Sequence, residues 1–348
     1  MATTRRSPLP LPRIPHQVGV VTTGQARARG WTVDGLRHAS AVGRLDRLWR
    51  GVYAEPVPSD AAGRDRRLTQ LAVAAAVMNP GVHVSHLATA SLSGWGWWAP
   101  APQPCVTHDG GLGLTDLSAV HVHRAHLGGF DRWQHGSVPV TSPGRTVCDV
   151  AREFGTEAGL CVADAAAHAG DLRRIDLRRS VEQARDWPGG RNLHRLVELL
   201  DPRAESVLES RSRYAMPRVG IPPPLTQVLL YDLRGVFIAR VDFFWPELGV
   251  VGEADGAAKY RGPEDVVQEK DREDAVRRLR LGFVRWRWPD VERFDDVSTR
   301  FWQAADDAAQ FRAAPRLWTM HQLPLPLYRH RTVRAAAVVG VGGVISAI

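Results

Sequence analysis

The sequence predicts a multidomain α+β fold with an N-terminal helical module, a mixed α/β middle domain and a C-terminal α/β sandwich. Near the N-terminus, two short capped helices precede a basic hairpin, and residues 237–255 form a second hairpin of alternating apolar and acidic residues. The chain has 348 residues, of which 44% are hydrophobic, and this suffices for two or three domains with cores of their own.

The overall charge favours a polyanionic partner. A formal net charge of +8 and a sequence pI near 10.1 favour contacts with phosphate groups, which release counterions when cations bind them. Much of the positive charge is arginine, which suits bidentate phosphate contacts but can also reflect a GC-rich genome. Composition therefore favours nucleic acid without separating these two causes.

The cysteines and the chain ends indicate the compartment. Cys105, Cys148 and Cys161 are odd in number and form no Cys-x-x-Cys pair, so neither a zinc cluster nor a disulfide framework is expected. Residues 1–16 form a basic, proline-rich arm that lacks the apolar run of a signal sequence. The tail, 299–348, ends in an apolar stretch too short and too rich in glycine to span a bilayer. We therefore expect a cytoplasmic protein that makes no membrane contact.

Residues 17–60 contain the signals of two short helices. Thr22 and Gln25 have the spacing of a capping box, and Gly30 closes the helix that they begin. Thr32 can cap the second helix. Two helices joined by a tight glycine turn predict a helix-turn-helix.

The residues that follow complete this module. Val33 and Leu36 are expected to face inward on the second helix. The stretch Arg44–Tyr53 is a basic, partly apolar hairpin with its turn near Arg50 and Gly51. Such a hairpin is how a winged helix-turn-helix ends.

The stretch from Val18 to Pro56, with Thr-Thr-x-Gln-Ala and Arg-Gly-Val-Tyr at its ends, resembles the winged-helix module of AbiEi-type antitoxins. A recognition helix meets base edges with its early side chains, while the wing holds phosphates. The predicted DNA contacts are Arg37 and His38 to bases and Arg44, Arg47 and Arg50 to the backbone. The alternatives are a solvated basic face or a protein-binding module.

The middle domain, 61–200, carries structural signals only. Arg67–Met78 and a helix capped by Ser85 are predicted as core helices, and Cys105–His108 and Ala119–Ala125 as strands. The pair Ser85-His86 and the stretch Thr-Ser-Pro-x-Arg-Thr at residues 141–146 resemble the second domain of AbiEi-type antitoxins. No chemistry follows from this resemblance.

Histidines cluster in this domain and raise the question of a metal. They are His83, His86, His108, His121, His123 and His126. The sequence shows no cysteine or acidic cluster that completes a ligand set, so solvated or hydrogen-bonded imidazoles are the preferred interpretation.

The C-terminal hairpin places carboxylates on one face. If Pro246–Gly249 form a four-residue loop, Glu253 lies directly opposite Asp242. Because side chains alternate along a strand, Asp255 shares their face, with Arg240 opposite it. Two carboxylates so close repel each other unless a cation lies between them, and hard oxygen ligands suit Mg²⁺ or Mn²⁺. The alternative is the solvated side of a half-buried hairpin.

Further motifs accompany this hairpin in order along the chain. They are Glu209-Ser210, Gly220-Ile221-Pro222 followed by Gln227, Val241-Asp242-Phe243, Glu253-Ala254-Asp255-Gly256, Lys259-Tyr260, Glu269-Lys270-Asp271-Arg272 and Gly282 to Trp286. Together they resemble the very-short-patch-repair-like endonuclease domain, a branch of the PD-(D/E)XK nucleases. The resemblance implies a restriction-endonuclease-like α/β sandwich over 201–298, with Asp242 and Glu253 as metal ligands and Glu209 as a supporting carboxylate.

One position departs from that pattern. Asp255 stands where a lysine usually follows the second acidic ligand. That lysine orients water and stabilises developing charge, and Lys259 or Lys270 could take over its work. The alternative is that Asp255 has a structural role only, in which Arg240 on the opposite strand neutralises its charge.

The domain is expected to contain one helix before the hairpin and another after it. These elements are a helix over Glu205–Met216, strands over Gln227–Tyr231 and Phe283–Trp288, and a charged helix over Glu264–Arg280. We expect the acidic face of the sheet to be open to solvent.

Two functions remain open. The first is a DNA-binding protein with a Mg²⁺-dependent (or Mn²⁺-dependent) endonuclease domain that hydrolyses DNA phosphodiester bonds. The second is a catalytically inactive, antitoxin-like transcriptional regulator that uses the nuclease fold to hold DNA or a partner, such as a cognate toxin or a second copy of the chain. The sequence does not decide between DNA and RNA as substrate.

Overall fold

The structure is a computed structural model that describes residues 10–98, 101–110, 117–256 and 272–328. The chain divides into two compact units. The N-terminal unit contains the described residues up to 93 and from 101 to 142, and the C-terminal unit contains 94–98 and 143–328. In the described part of the chain, no helix has both the length and the apolar character needed to cross a membrane.

The N-terminal unit begins with the predicted pair of helices and hairpin. Its first elements are β1 (Val20–Thr22), α1 (Thr23–Arg27), α2 (Val33–Ala41), β2 (Asp46–Trp49) and β3 (Val52–Ala54), with sheet order β1-β3-β2. Thr22 makes both bonds of the predicted capping box, and Thr32 accepts a hydrogen bond from the amide of Gly35. Gly30 and Gly51 turn the chain with positive φ angles of 84° and 80°, which glycine adopts at little cost.

The buried stripe of α2 differs from the prediction at one position. Leu36 is fully buried as expected, and Ala39 is buried beside it, but the expectation for Val33 was wrong because that residue is 39% exposed. Val33 is the first residue of the helix, and the core next to α2 is filled by Trp31 and Leu45 together with Leu36 and Ala39. The first turn of α2 therefore remains at the surface.

The rest of the N-terminal unit is a five-stranded sheet with helices. Its elements are α3 (Ala61–Met78), β4 (Val82–Val84), α4 (His86–Ser93), β5 (Cys105–His108), β6 (His121–Arg124), β7 (Arg132–His135) and β8 (Val138–Thr141), with sheet order β6-β5-β4-β8-β7. The predicted strand Cys105–His108 is confirmed, and β6 lies within Ala119–Ala125. Helix α3 starts earlier than expected because the Asp60 side chain accepts a hydrogen bond from the amide of Gly63 and caps the helix there.

The C-terminal unit combines a helical part with a second five-stranded sheet. Its helices are α5 (Pro143–Phe154), α6 (Thr156–His168), α7 (Arg174–Ala184), α8 (His194–Leu199), α9 (Val207–Ala215), α10 (272–278), α11 (Trp288–Val291) and α12 (Phe294–Ala309). Its strands are β9 (Leu225–Asp232), β10 (Phe237–Trp245), β11 (Val250–Asp255), β12 (Gly282–Arg287) and β13 (Trp318–Gln322), with sheet order β12-β11-β10-β9-β13. The part of the predicted helix Glu264–Arg280 that precedes residue 272 lies outside the described residues.

The register of the β10–β11 hairpin is the one that a four-residue loop predicts. Phe243 pairs with Gly252 and Trp245 pairs with Val250, so the next cross-strand position opposite Asp242 is Glu253. Strand β12 lies parallel to β11 on its other side. The three strands therefore place the predicted acidic residues next to a strand that is distant in sequence.

The acidic face of this sheet is not the open surface that we expected. Phe244 and Val251 lie two residues from Asp242 and Glu253 and therefore share their face of the sheet. Both are fully buried, in one core cluster with Val276 of α10. Glu253 and Asp255 are themselves only 2% and 3% exposed. Helix α10 covers this side because its apolar side chains extend the core over the sheet, so the carboxylates lie at the edge of a core and not on a solvated face.

Candidate functional site

Glu209 is held at the N-terminus of α9 by its neighbours. The Ser206 hydroxyl accepts a hydrogen bond from the Glu209 amide at 3.2 Å and donates one to Oε1 at 2.8 Å. The Glu205 amide donates to Oε2 of Glu209 at 3.1 Å. A carboxylate in the first turn of a helix also interacts favourably with the helix dipole. These bonds fix the buried carboxylate in one orientation.

Gln227 of β9 joins two of the predicted site carboxylates. Its Nε2 atom donates to Oε2 of Glu209 at 2.9 Å and to Oδ1 of Asp242 at 3.3 Å. Its Oε1 atom accepts from Nε of Arg240 at 2.7 Å. The residue is buried and has a φ of 51°, a left-handed conformation that costs energy in a residue with a side chain. The backbone of Gln227 is therefore strained at the position from which its side-chain amide bridges two acids.

The neighbouring charges change the protonation of Glu209. Burial, together with the repulsion from Asp242, raises the pKa of the Glu209 carboxyl to about 7. The hydrogen bonds from Ser206 and Gln227 oppose this shift without cancelling it. A group of this kind exchanges its proton near neutral pH, as carboxylates that act in acid–base catalysis do.

Asp242 has a second fixed contact. Its Oδ2 atom accepts a hydrogen bond from the Ala254 amide at 2.9 Å, across the hairpin. One oxygen of Asp242 therefore points towards Gln227 and the other towards β11. The predicted face shared by Asp242 and Glu253 is consistent with this arrangement.

Arginines surround Glu253 in the structure. Nη2 of Arg272 lies 2.5 Å and Nη2 of Arg285 lies 3.2 Å from Oε2 of Glu253. Arg285 also lies 3.1 Å from Asp255 through its Nε atom. Two guanidinium groups thus supply, at this carboxylate, the positive charge that a buried acid requires.

The predicted partner of Asp255 was wrong. Arg240 bonds Gln227 and forms an ion pair with Glu205, and Asp255 is contacted by Arg285. The reason is the parallel strand β12, whose register places Arg285 beside Glu253 and Arg287 beside Asp255. A hairpin considered alone cannot show a charge that arrives on a third strand.

Potential metal ligands come together at a place other than the one that the sequence predicts. Among the described residues, Glu209, Asp242, Glu253 and Asp255 do not form a set of three whose ligand atoms all lie within 4.8 Å of one another. In the N-terminal unit, ligand atoms of His86, Cys105 and His123 do approach one another within 4.8 Å. Cys105 supplies the thiol that sequence reasoning did not place beside the histidines.

Two lysines of the sequence prediction lie outside the described residues. They are Lys259 and Lys270, which could replace the missing lysine. Sequence reasoning had also assigned no role to Gln227, Arg272 or Arg285. Gln227 belongs to one of the motifs named above, and Arg285 alternates with apolar residues on β12. Their roles become visible only once the sheet order shows which strands are neighbours.

A basic cleft adjoins these residues in the C-terminal unit. It has a volume of about 620 Å³ and lies between β12, α12 and the end of α10. Its charged lining residues are four arginines and two acids, Arg277, Arg280, Arg285, Arg300, Glu273 and Asp307. Arginines in a groove suit the phosphates of a nucleic acid backbone.

The predicted DNA contacts of the N-terminal unit lie on its surface. Arg37 and His38 are exposed on α2, and Arg37 forms an exposed ion pair with Asp34 at 3.2 Å. Arg47 and Arg50 are exposed on the β2–β3 hairpin and its turn. The fifth predicted contact, Arg44, is half-buried, with its guanidinium carbon 5.9 Å from the centre of the Trp31 ring.

Comparison with known proteins finds relatives of the chain. Two uncharacterized proteins of Mycobacterium tuberculosis, from strains CDC 1551 and H37Rv, are each 29% identical to it over 230 residues. The aligned stretch covers 66% of this chain and 80% of each relative. No family model matches the chain.

Proposed function

We propose that the chain is a DNA-binding protein whose C-terminal unit is a metal-dependent endonuclease. The observation that carries the proposal is the pair of acids linked by one amide, since Glu209 and Asp242 both accept hydrogen bonds from Gln227. The hairpin register, continued one position beyond the pair Phe243–Gly252, sets Glu253 across from Asp242. This set occupies the positions that the resemblance to very-short-patch-repair-like endonucleases assigns to the metal site.

The charge balance of these residues fits a bound cation. Burial and, after it, repulsion from Asp242 raise the pKa of the Glu209 carboxyl, and a bound cation would relieve that repulsion. Asp242 and Glu253 would hold the ion, and Glu209 would support it. Mg²⁺ or Mn²⁺, when bound, would polarise a phosphoryl oxygen and lower the pKa of a bound water.

The other residues have roles in holding the substrate. The arginines of the cleft beside Glu253 would bind the phosphates of the DNA backbone. In the N-terminal unit, α2 would act as the recognition helix of a winged helix-turn-helix, with Arg37 and His38 facing base edges and Arg44, Arg47 and Arg50 facing the backbone.

A second candidate function has its own observation. Arg272 and Arg285 neutralise Glu253, and Arg285 also neutralises Asp255, so these two carboxylates have counter-charges without a bound ion. This favours an antitoxin-like regulator that holds DNA, a cognate toxin or a second copy of the chain with an inactive nuclease fold.

Plasmid nicking separates the two functions. Purified protein, incubated with supercoiled plasmid and Mg²⁺ or Mn²⁺, is expected to relax the plasmid, and EDTA is expected to stop the reaction. Asp242→Ala and Glu253→Ala should abolish nicking while DNA binding stays close to that of the wild type.

The matched control is Glu247→Ala, which removes an exposed carboxylate from the loop of the same hairpin. It should nick the plasmid at the wild-type rate. If the wild-type protein binds DNA but cleaves neither DNA nor RNA with either ion, the endonuclease proposal is rejected. The regulator is then the better description of its function.

A further inference from the structure

The sheet of the N-terminal unit has one apolar face and one face rich in histidine. The valines at 82, 84, 106 and 122 belong to the core that packs on α3. Because side chains alternate along a strand, Cys105 and Thr107 of β5 lie on the opposite face. Parallel pairing sets Cys105 beside His121 and Thr107 beside His123. The fold thus gathers a thiol and two imidazoles on one face, although 16 positions separate Cys105 from His121 along the chain.

His86 meets this face from the start of α4. It has a φ of 54°, a left-handed conformation that is strained for a residue with a side chain. Its ring stacks on the ring of His123, with centroids 3.8 Å apart and an angle of 21° between the planes. Its Nδ1 atom lies 2.9 Å from the hydroxyl of Ser85. Strand β4 and the strained residue together aim this buried imidazole at β5 and β6.

The three side chains have the composition of a zinc site. Ligand atoms of His86, Cys105 and His123 all lie within 4.8 Å of one another. Imidazole and thiolate are soft or borderline ligands that select Zn²⁺ and similar ions over Mg²⁺. Contact between Nδ1 of His86 and Ser85 is also the kind of second contact that orients metal-bound histidines.

We propose that His86, Cys105 and His123 bind a divalent transition-metal ion, for which Zn²⁺ is the best match. Zinc takes four ligands in a tetrahedron, so water or another donor completes the set. The site is independent of the proposed Mg²⁺ site because its three proposed ligands belong to the N-terminal unit and are not carboxylates. It also accounts for a buried thiol and two stacked imidazoles that the nuclease proposal does not use.

Cobalt substitution gives the most direct test. Full-length protein is freed of metal with a chelator, the chelator is removed, and Co²⁺ is added in steps. We expect one equivalent to bind and to produce the charge-transfer absorption of a cobalt–thiolate bond, and one equivalent of Zn²⁺ to displace it. Binding should also release the Cys105 proton, which calorimetry in two buffers with different protonation enthalpies measures.

Variants identify the ligands. Cys105→Ser should remove the charge-transfer band, and His123→Ala should weaken Zn²⁺ binding by more than about a hundredfold, beyond the effect of losing an outer contact. Cys148→Ser is the thiol control, since Cys148 is also a buried cysteine that forms no disulfide. His121→Ala is the imidazole control because its ring meets the His123 ring edge-on, 4.4 Å away, from the same strand face.

Several results would overturn the proposal. The first is wild-type protein that takes up no Zn²⁺ and shows no Zn²⁺-dependent rise in melting temperature, a result that does not depend on the folding of any variant. A charge-transfer band that survives in Cys105→Ser would exclude the thiol as ligand. Equal losses of affinity in His121→Ala and His123→Ala would show that the assigned set is wrong.

Discussion

The amide nitrogen of Gln227 donates to the buried carboxylate of Glu209 at 2.9 Å. The same nitrogen contacts Asp242, so one uncharged side chain connects two acids from different elements of the C-terminal unit. This contact ties helix α9 to the sheet at the point where the proposed metal ligands lie.

Replacing Gln227 with Met should destabilise the protein by about 1–3 kcal/mol, because buried hydrogen-bonding groups lose a partner. Methionine keeps a similar shape and the same Cβ, so the strain of the left-handed backbone is unchanged. Urea unfolding measures the difference. Gln310→Met, at an exposed glutamine, should change stability by less than about 0.5 kcal/mol. Equal effects of the two variants would contradict the role of the bridge.

The raised pKa of Glu209 predicts a pH dependence of stability. Its pKa is raised from 4.5 to about 7, so the folded state binds this proton more tightly than the unfolded state does. The contribution of the group to stability is present below about pH 4.5 and is lost as the pH rises through about 7.

The test compares unfolding of the wild type and Glu209→Gln across this pH range. The wild type should lose stability relative to the variant as the pH rises, because the amide carries no proton that titrates. Mg²⁺ should reduce the loss if the ion binds the ionised carboxylate. Parallel pH curves for the two proteins would show that Glu209 is not the group responsible.

Asp255 and Arg285 should be energetically coupled. Asp255→Lys places an ammonium group beside Arg285, whose Nε atom lies 3.1 Å from the Asp255 carboxylate, and breaking such a buried pair costs about 3–5 kcal/mol. The double variant Asp255→Lys, Arg285→Met should recover part of this loss, with a coupling energy of about 0.5–3 kcal/mol. The free energies of unfolding of the wild type, the two single variants and the double variant give this coupling energy. If the effects of the two substitutions simply add, Asp255 and Arg285 do not form a stabilising ion pair.

The same double variant tests the missing lysine. If the wild type fails to nick plasmid because Asp255 occupies the lysine position, a lysine there without the competing Arg285 should produce Mg²⁺-dependent nicking. If the wild type is active through Lys259, then Lys259→Ala should slow cleavage by about a hundredfold or more.

The predicted DNA contacts of the N-terminal module should differ in whether they affect sequence preference or overall affinity. Replacing Arg37 and His38 with Ala should reduce the preference among DNA sequences, since base contacts discriminate. Replacing Arg47 and Arg50 should weaken binding to all sequences and reduce the salt dependence by about one unit of slope per lost phosphate contact. Selection from a genomic DNA library at two salt concentrations measures both effects, and full selectivity in a chain that lacks residues 1–60 would contradict the assignment.

Local patterns in the sequence determined several elements and the register of one hairpin. The capping residues Thr22 and Thr32 predicted the two N-terminal helices, and the four-residue loop Pro246–Gly249 predicted the register that pairs Phe243 with Gly252. These features depend on residues a few positions apart, so the chain carries the information within each segment.

Only the tertiary structure decided which side chains meet. The Asp255–Arg285 pair depends on the parallel strand β12, the bridge from Gln227 depends on α9 meeting β9, and the approach of His86, Cys105 and His123 depends on β5 pairing with β6. Parallel strands need a long connection, so their register is set by packing of the whole unit. Contacts of this kind leave no periodic signal along the chain, which is why the sequence indicated the hairpin correctly but placed the wrong arginine beside Asp255.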